Sequence, residues 1–133
     1  MSQENVERVK ASIEAYNEGQ YQAALAYFDP NIEWRVPSEM DLDIGVLRGH
    51  DGVLTFWEMV AETFGNFRLA DLEFRDAGER VVVRTRLVGQ GKRSGVPTEM
   101  ELHQVAELEN GLIKRLEYFT SHDRALEAAG LKD

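Results

Sequence analysis

The sequence predicts an α+β fold, and three observations carry that reading. Apolar residues recur at helical spacing through the first half of the chain, and the period changes to two after about residue 65. The pair Asn110-Gly111, between two alternating segments, marks a β-hairpin. A short helical stretch from Ser121 or His122 to Gly130 closes the chain.

Val6, Val9, Ile13 and Tyr16 define the first helix, with Ser2 as N-cap, Glu4 in the first turn where the helix dipole favours an acid, and Gly19 as the stop. Ala24, Leu25 and Phe28 form a second, shorter helix that Asp29-Pro30 ends, because proline has no amide hydrogen to donate. Ile32, Trp34 and Val36 alternate with Glu33 and Arg35 as a half-buried strand that Pro37 closes. A loop runs from Ser38 to Gly49, and its Glu39, Asp41 and Asp43 read as a solvated acidic segment, as selectors of a cationic or polyhydroxylated ligand, or as a weak cation site. Val53, Phe56, Trp57, Val60 and Phe64 make the third helical stripe, ending at Gly65.

Strands are expected at about 67 to 76, 80 to 89, 97 to 108 and 112 to 120. The Asn-Gly turn sets a register in which Gln104 faces Glu117 and Leu102 faces Phe119. On the preceding strand, Arg84 and Arg86 suit cross-strand pairing with Glu99 and Glu101, which places them with Val82, Val88 and His103 on an outer, wetter face. Val83, Thr85, Leu87, Met100, Leu102, Gln104, Arg115, Glu117 and Phe119 then face inward.

A chain of 133 residues suits one core, so residues 1–133 are expected to form a single domain. With 43% hydrophobic and 29% charged residues it should fold without a partner. The net charge of -9, with no basic cluster against it, excludes nucleic acid and anionic membrane surfaces as partners. No cysteine is present, and the three histidines have no metal-ligand spacing, so neither a metal nor a cofactor is expected. The polar, acid-containing start is unlike a secretory signal, and the expected compartment is the cytoplasm.

The element order and three groups of residues resemble the SnoaL-like branch of the nuclear transport factor 2-like superfamily. These are Tyr16-Asn17-Glu18-Gly19 through Phe28-Asp29-Pro30 to Ile32-Glu33-Trp34, then Arg48-Gly49-His50-Asp51-Gly52-Val53 with Phe56-Trp57, and finally Ser94-Gly95-Val96-Pro97 with Glu109-Asn110-Gly111 and Tyr118-Phe119. The resemblance covers essentially the whole chain. It implies a cone-shaped curved antiparallel sheet wrapped around three N-terminal helices, plus a short C-terminal helix, around one largely apolar pocket for a small metabolite, cyclic or otherwise. It also implies a homodimer through the outer sheet face, to which Val82, Val88, Val105, Leu116 and Tyr118 would contribute.

The superfamily hosts isomerases, cyclases, hydrolases, dehydratases and binding proteins, so the fold alone selects none of them. The catalytic positions of its steroid isomerases fall near Ser12, Val36 and Leu102, none of which matches in chemistry. Epoxide hydrolysis of the limonene type finds a carboxylate at Glu117 but needs Arg84 or Arg86 inside the cone.

Within the expected pocket, Glu117 is the candidate acid or base and Gln104 its orienting partner, since a carboxylate on an apolar wall loses hydration and holds its proton more tightly. Arg115, two residues away, offers the competing reading of a structural ion pair. Tyr16 and Trp34 can stack on a flat ligand or serve as plain core, and Phe56, Val60, Val83, Thr85, Met100, Leu102 and Phe119 complete the expected lining. The alternative to an acid-base catalyst is a ligand-binding or homodimeric interaction module without chemistry. His103 is expected on the surface or at the dimer interface, and His50 as a helix cap.

Overall fold

The computed structural model describes residues 2–36 and 45–131, with the side chain of Ser2 excepted. The expected Ser2 cap and the acidic segment with Glu39, Asp41 and Asp43 therefore lie outside the described residues. Along the chain come α1 (Ser2–Asn17), α2 (Tyr21–Leu25), β1 (Phe28–Arg35), β2 (Val46–Arg48), α3 (Gly49–Thr63), β3 (Phe64–Ala77), β4 (Arg80–Gly91), β5 (Pro97–Glu109), β6 (Leu112–Phe119) and α4 (His122–Ala128).

The six strands form one curved, unclosed sheet in the order β2-β1-β6-β5-β4-β3. All neighbours are antiparallel except β1 and β6, which run parallel. This is the α+β cone expected from the resemblance, with the main core between the concave face and helices α1 and α3. Val9 and Ile13 of α1 and Val53, Phe56, Trp57 and Val60 of α3 are buried there, as a helix with one apolar stripe requires.

Two β-bulges bend β3. Asn66 (φ 51°) and Asp71 (φ 50°) occupy the left-handed region where the β3–β4 register slips, between Gly65 and Arg68 and between Ala70 and Glu73. Thr85 Oγ1 donates to the Ala70 carbonyl at 2.7 Å beside the second bulge, where the ladder cannot serve it. Asn17, at the end of α1, grips β3 between the two bulges through both backbone groups of Leu69, each at 3.0 Å. Gly89 lets β4 approach the first bulge, because a Cβ there would stand 3.2 Å from the Phe67 Cα and from the Gly65 carbonyl oxygen.

Several boundaries differ from expectation. Phe28 opens β1 rather than closing α2, and Pro30 lies inside β1. It is tolerated because the β1–β6 pairing is interrupted between Phe28 and Glu33, so no ladder hydrogen bond is lost. The segment expected as loop contains β2, and α3 passes into β3 after Thr63 without a glycine stop.

The consequential correction lies in β6. Glu109 pairs with Leu112 as the Asn-Gly turn demands, and both turn residues have positive φ (Asn110 53°, Gly111 80°). The register then slips between Leu108 and Glu107, with Lys114 as the extra residue. Beyond that bulge Gln104 pairs with Tyr118, Val105 with Glu117 and His103 with Phe119. Leu116 and Tyr118 consequently face the core, while Arg115, Glu117 and Phe119 face out, the reverse of the expected arrangement.

The outer face behaves as its charges suggest. Arg86 bonds Asp71 at 2.8 Å and Glu99 at 3.2 Å, and Arg84 bonds Glu101 at 3.1 Å. Both arginines are 47% exposed, which removes the epoxide-hydrolysis reading that needed one inside the cone. Val82 and Val105 are covered by Ala125 and Ala129 around α4, so among the described residues these two valines are not exposed as expected. His103 shares this face but is buried, with Nε2 3.0 Å from Glu101 and its ring 5.2 Å from that of His122, and is not the surface residue expected. No helix among the described residues is long and apolar enough to cross a membrane.

Candidate functional site

The concave face, α1 and α3 enclose a cavity of about 240 Å³. Val9, Ser12, Ile13 and Tyr16 come from α1, and Phe56, Trp57 and Val60 from α3. The sheet contributes Phe28 and Trp34 of β1, Leu87 of β4, Met100 and Gln104 of β5, and Ile113, Leu116 and Tyr118 of β6. The half-buried Phe64, Phe67 and Met100 and the exposed Thr98 mark the end that meets solvent, and Leu69 completes the β3 wall.

Trp34 is the hub of the lining. Its ring lies edge-on to Tyr118 at 5.1 Å, to Phe56 at 5.6 Å and to Phe28 at 6.1 Å, in the T-shaped arrangements that aromatic quadrupoles favour. Tyr16 packs on Trp57 at 5.1 Å and stacks on Tyr21 at 5.7 Å. The Trp34 Nε1–H is buried without a hydrogen-bond partner among the described residues.

Among the described residues no carboxylate, imidazole, ammonium or guanidinium lines the cavity. Its polar atoms belong to Ser12, Tyr16, Trp34, Thr98, Gln104 and Tyr118. Ser12 Oγ donates weakly to the Ala24 carbonyl at 3.4 Å. Gln104 is 3% exposed and its carboxamide makes no hydrogen bond among the described residues. Burial pushes the Tyr118 phenol well above its ordinary pKa, with the nearby Tyr16 adding to the rise, and burial followed by Tyr21 does the same to Tyr16. Both phenols are therefore neutral hydroxyls at any physiological pH.

The structure does not bring Glu117 to Gln104. The Lys114 bulge turns Glu117 to the outer face opposite Val105, away from the cavity, while Gln104 stays on the inner face. Arg115 is also outside, 53% exposed, at 3.5 Å from Glu107 and 3.9 Å from Glu33, so it does not pair with Glu117 in the core. Tyr16, Trp34, Phe56, Val60 and Met100 stand in the cavity wall. Val83 and Leu102 are buried in the main core without reaching the cavity, Thr85 is held by Ala70, and Phe119 packs on the outer cluster under α4. His50 caps no helix; its Nε2–H donates to the Phe28 carbonyl at 2.9 Å and ties the start of α3 to β1. Among the described residues no three acidic or histidine side chains gather where they could hold a metal ion.

The lining residues that sequence reasoning passed over include Val9, Ile13, Trp57 and Phe64, whose signal was their place on the two helical stripes. Leu116 and Tyr118 gave none, because the bulge hides their facing.

Sheet, helices and apolar cavity together define a cone-fold domain of the nuclear transport factor 2-like superfamily. The SnoaL-like domain family matches residues 9–116, and the chain belongs to it. A nuclear transport factor 2-like protein of unknown function from Burkholderia pseudomallei is 27% identical with a TM-score of 0.79, the match covering 93% of this chain and 95% of that one. TerC, co-crystallised with polyporic acid, is 25% identical with a TM-score of 0.79, over 96% of this chain and 98% of its own. A protein of Xanthomonas campestris pv. campestris, named provisionally as a polyketide cyclase, is 17% identical with a TM-score of 0.78, over 96% and 98% of the two chains, which speaks to fold alone. No curated protein matches the chain in sequence.

Proposed function

We propose that this chain is a single SnoaL-like domain that binds an uncharged, mostly apolar, ring-containing small molecule inside its cone. The observation that carries this is the cavity wall, mostly apolar and aromatic, with neutral polar groups only and, among the described residues, without any ionised side chain. An apolar cavity of about 150 Å³ accepts a benzene ring. At about 240 Å³ this one suits a fused bicyclic or a ring system of similar bulk. A charged ligand would lose its hydration here without gaining a counter-ion. The co-crystallisation of TerC with polyporic acid supports a small-molecule reading for a protein of this fold.

Binding is favoured over the acid-base alternative. The described lining supplies hydroxyls, an indole and an amide, which orient a ligand but accept no proton near neutral pH. Glu117, the carboxylate proposed as acid or base, has the sheet between itself and the cavity.

Thermal unfolding with and without naphthalene and 2-naphthoate tests the reading. Naphthalene should raise Tm by mass action, and the anion of the same outline should not. Val60→Phe, which fills the cavity from α3, should abolish the naphthalene effect while the protein stays folded. Equal stabilisation by the anion, or none by naphthalene, would overturn the proposal.

A further inference from the structure

Gln104 sits where an amide is costly. Its strand neighbours on the inner face are Val83 of β4 and Tyr118 of β6, and it is 3% exposed. A primary carboxamide has a carbonyl acceptor and two N–H donors in one plane, and burying them unpaired is unfavourable. Neither its nitrogen nor its oxygen is among the fully enclosed atoms lacking a partner, although the residue is buried from bulk solvent and makes no hydrogen bond among the described residues. The amide edge is therefore open to the cavity it lines.

Building on the proposed apolar binding site, we infer that Gln104 is its specificity-determining residue, selecting a neutral ring compound with a hydrogen-bond donor and an acceptor on adjacent edge atoms. A lactam or a vicinal hydroxy-carbonyl presents that edge. Such a group satisfies the carbonyl and the amide of Gln104 together, in one plane, where a lone ketone satisfies only the N–H. Tyr118 leaves the sheet beside Gln104 as its direct cross-strand partner, and its neutral hydroxyl provides a further donor or acceptor at the same wall. Apart from the hydroxyls of Ser12 and Thr98 the remaining lining is apolar or aromatic, so the rest of the ligand is mostly a flat hydrocarbon frame.

Calorimetric titration of 2-quinolinone, a flat bicyclic lactam, and of naphthalene, the same outline without the polar edge, tests this in the wild type and in Gln104→Met. The variant should weaken 2-quinolinone by about tenfold and leave naphthalene within about twofold, since it removes the hydrogen bonds and keeps the volume. In the wild type alone, the side-chain amide resonances of Gln104 should shift with 2-quinolinone and stay in place with naphthalene, a readout that stands even where the variant fails to fold. Unmoved amide resonances at saturating 2-quinolinone, or equal affinity in both proteins, overturn the role of Gln104 while naphthalene binding leaves the cavity reading intact. If neither compound binds the wild type, both proposals fall.

Discussion

Asn17 holds Leu69 by both of its backbone groups, accepting from the Leu69 amide and donating to the Leu69 carbonyl, each at 3.0 Å. The last residue of α1 thus acts as a surrogate strand on the edge of β3, pinning the short segment between the bulges at Asn66 and Asp71. Leu69 lines the cavity, so the clamp sets one of its walls. Asn17→Ala leaves both backbone groups without their partner and should cost about 2 kcal/mol, or roughly 8 °C in Tm for a domain of this size. Urea unfolding should show a lower midpoint at unchanged slope; a midpoint within error of the wild type would mean that the edge of β3 needs no clamp.

The slip at Lys114 yields a prediction that separates two facings of β6. With Leu116 in the core and Glu117 outside, Leu116→Ala should destabilise by about 3 kcal/mol, as cavity-forming changes do. Glu117→Gln should stay within about 0.5 kcal/mol and leave naphthalene binding unchanged. The register without the slip demands the reverse order, with Glu117→Gln the more damaging, so chemical denaturation of the two variants decides between them.

How far the sequence was legible follows from these same residues. Helices α1 and α3 were legible because their buried stripes hold a 3.6-residue period, and the facing of β4 because Arg84 and Arg86 needed Glu101 and Glu99 beside them. The Asn-Gly turn gave the right first pair of its hairpin. It could not carry that register past Lys114, because a bulge adds a residue without any side-chain signature and reverses every facing beyond it. The expected Glu117–Gln104 constellation fails for that reason alone, since Gln104 faces the cavity as expected and Glu117 does not. Pro30 misled in another way, ending a helix in the sequence reading although its missing amide falls where β1 has no ladder partner.

The acid limb of stability should depend on Glu33 and Glu101. A hydrogen bond from Arg48 holds the Glu33 carboxyl below its ordinary value of 4.5, and bonds from Arg84, then His103, do the same for Glu101. A lowered folded-state pKa means the contribution is complete above 4.5 and fades as pH falls through the lowered values. Glu101 is exposed and Glu33 half-buried, each paired with an arginine that is open to solvent, so the effect is small and screened by salt. Between pH 6 and pH 3, Tm of the double variant Glu33→Gln, Glu101→Gln should fall less steeply than that of the wild type; parallel curves would show that the pairs contribute nothing.

The alkaline limb has the opposite sign. Tyr16 and Tyr118 hold their protons above the ordinary phenol value of 10.0, chiefly because burial disfavours the phenolate. Their contribution is complete below pH 10 and is lost as pH rises toward the folded-state values, because the unfolded chain releases those protons first. Each phenol steepens the fall by about 1.4 kcal/mol per pH unit in that window. Followed by tyrosinate absorbance, both should ionise only together with the loss of near-ultraviolet circular dichroism, and Tyr118→Phe should remove one phenol from that late phase. Ionisation of the Tyr118 phenol near pH 10 in a protein that keeps its circular dichroism would mean that water reaches the wall where Gln104 and Tyr118 stand, and the apolar character assigned to that wall would fail with it.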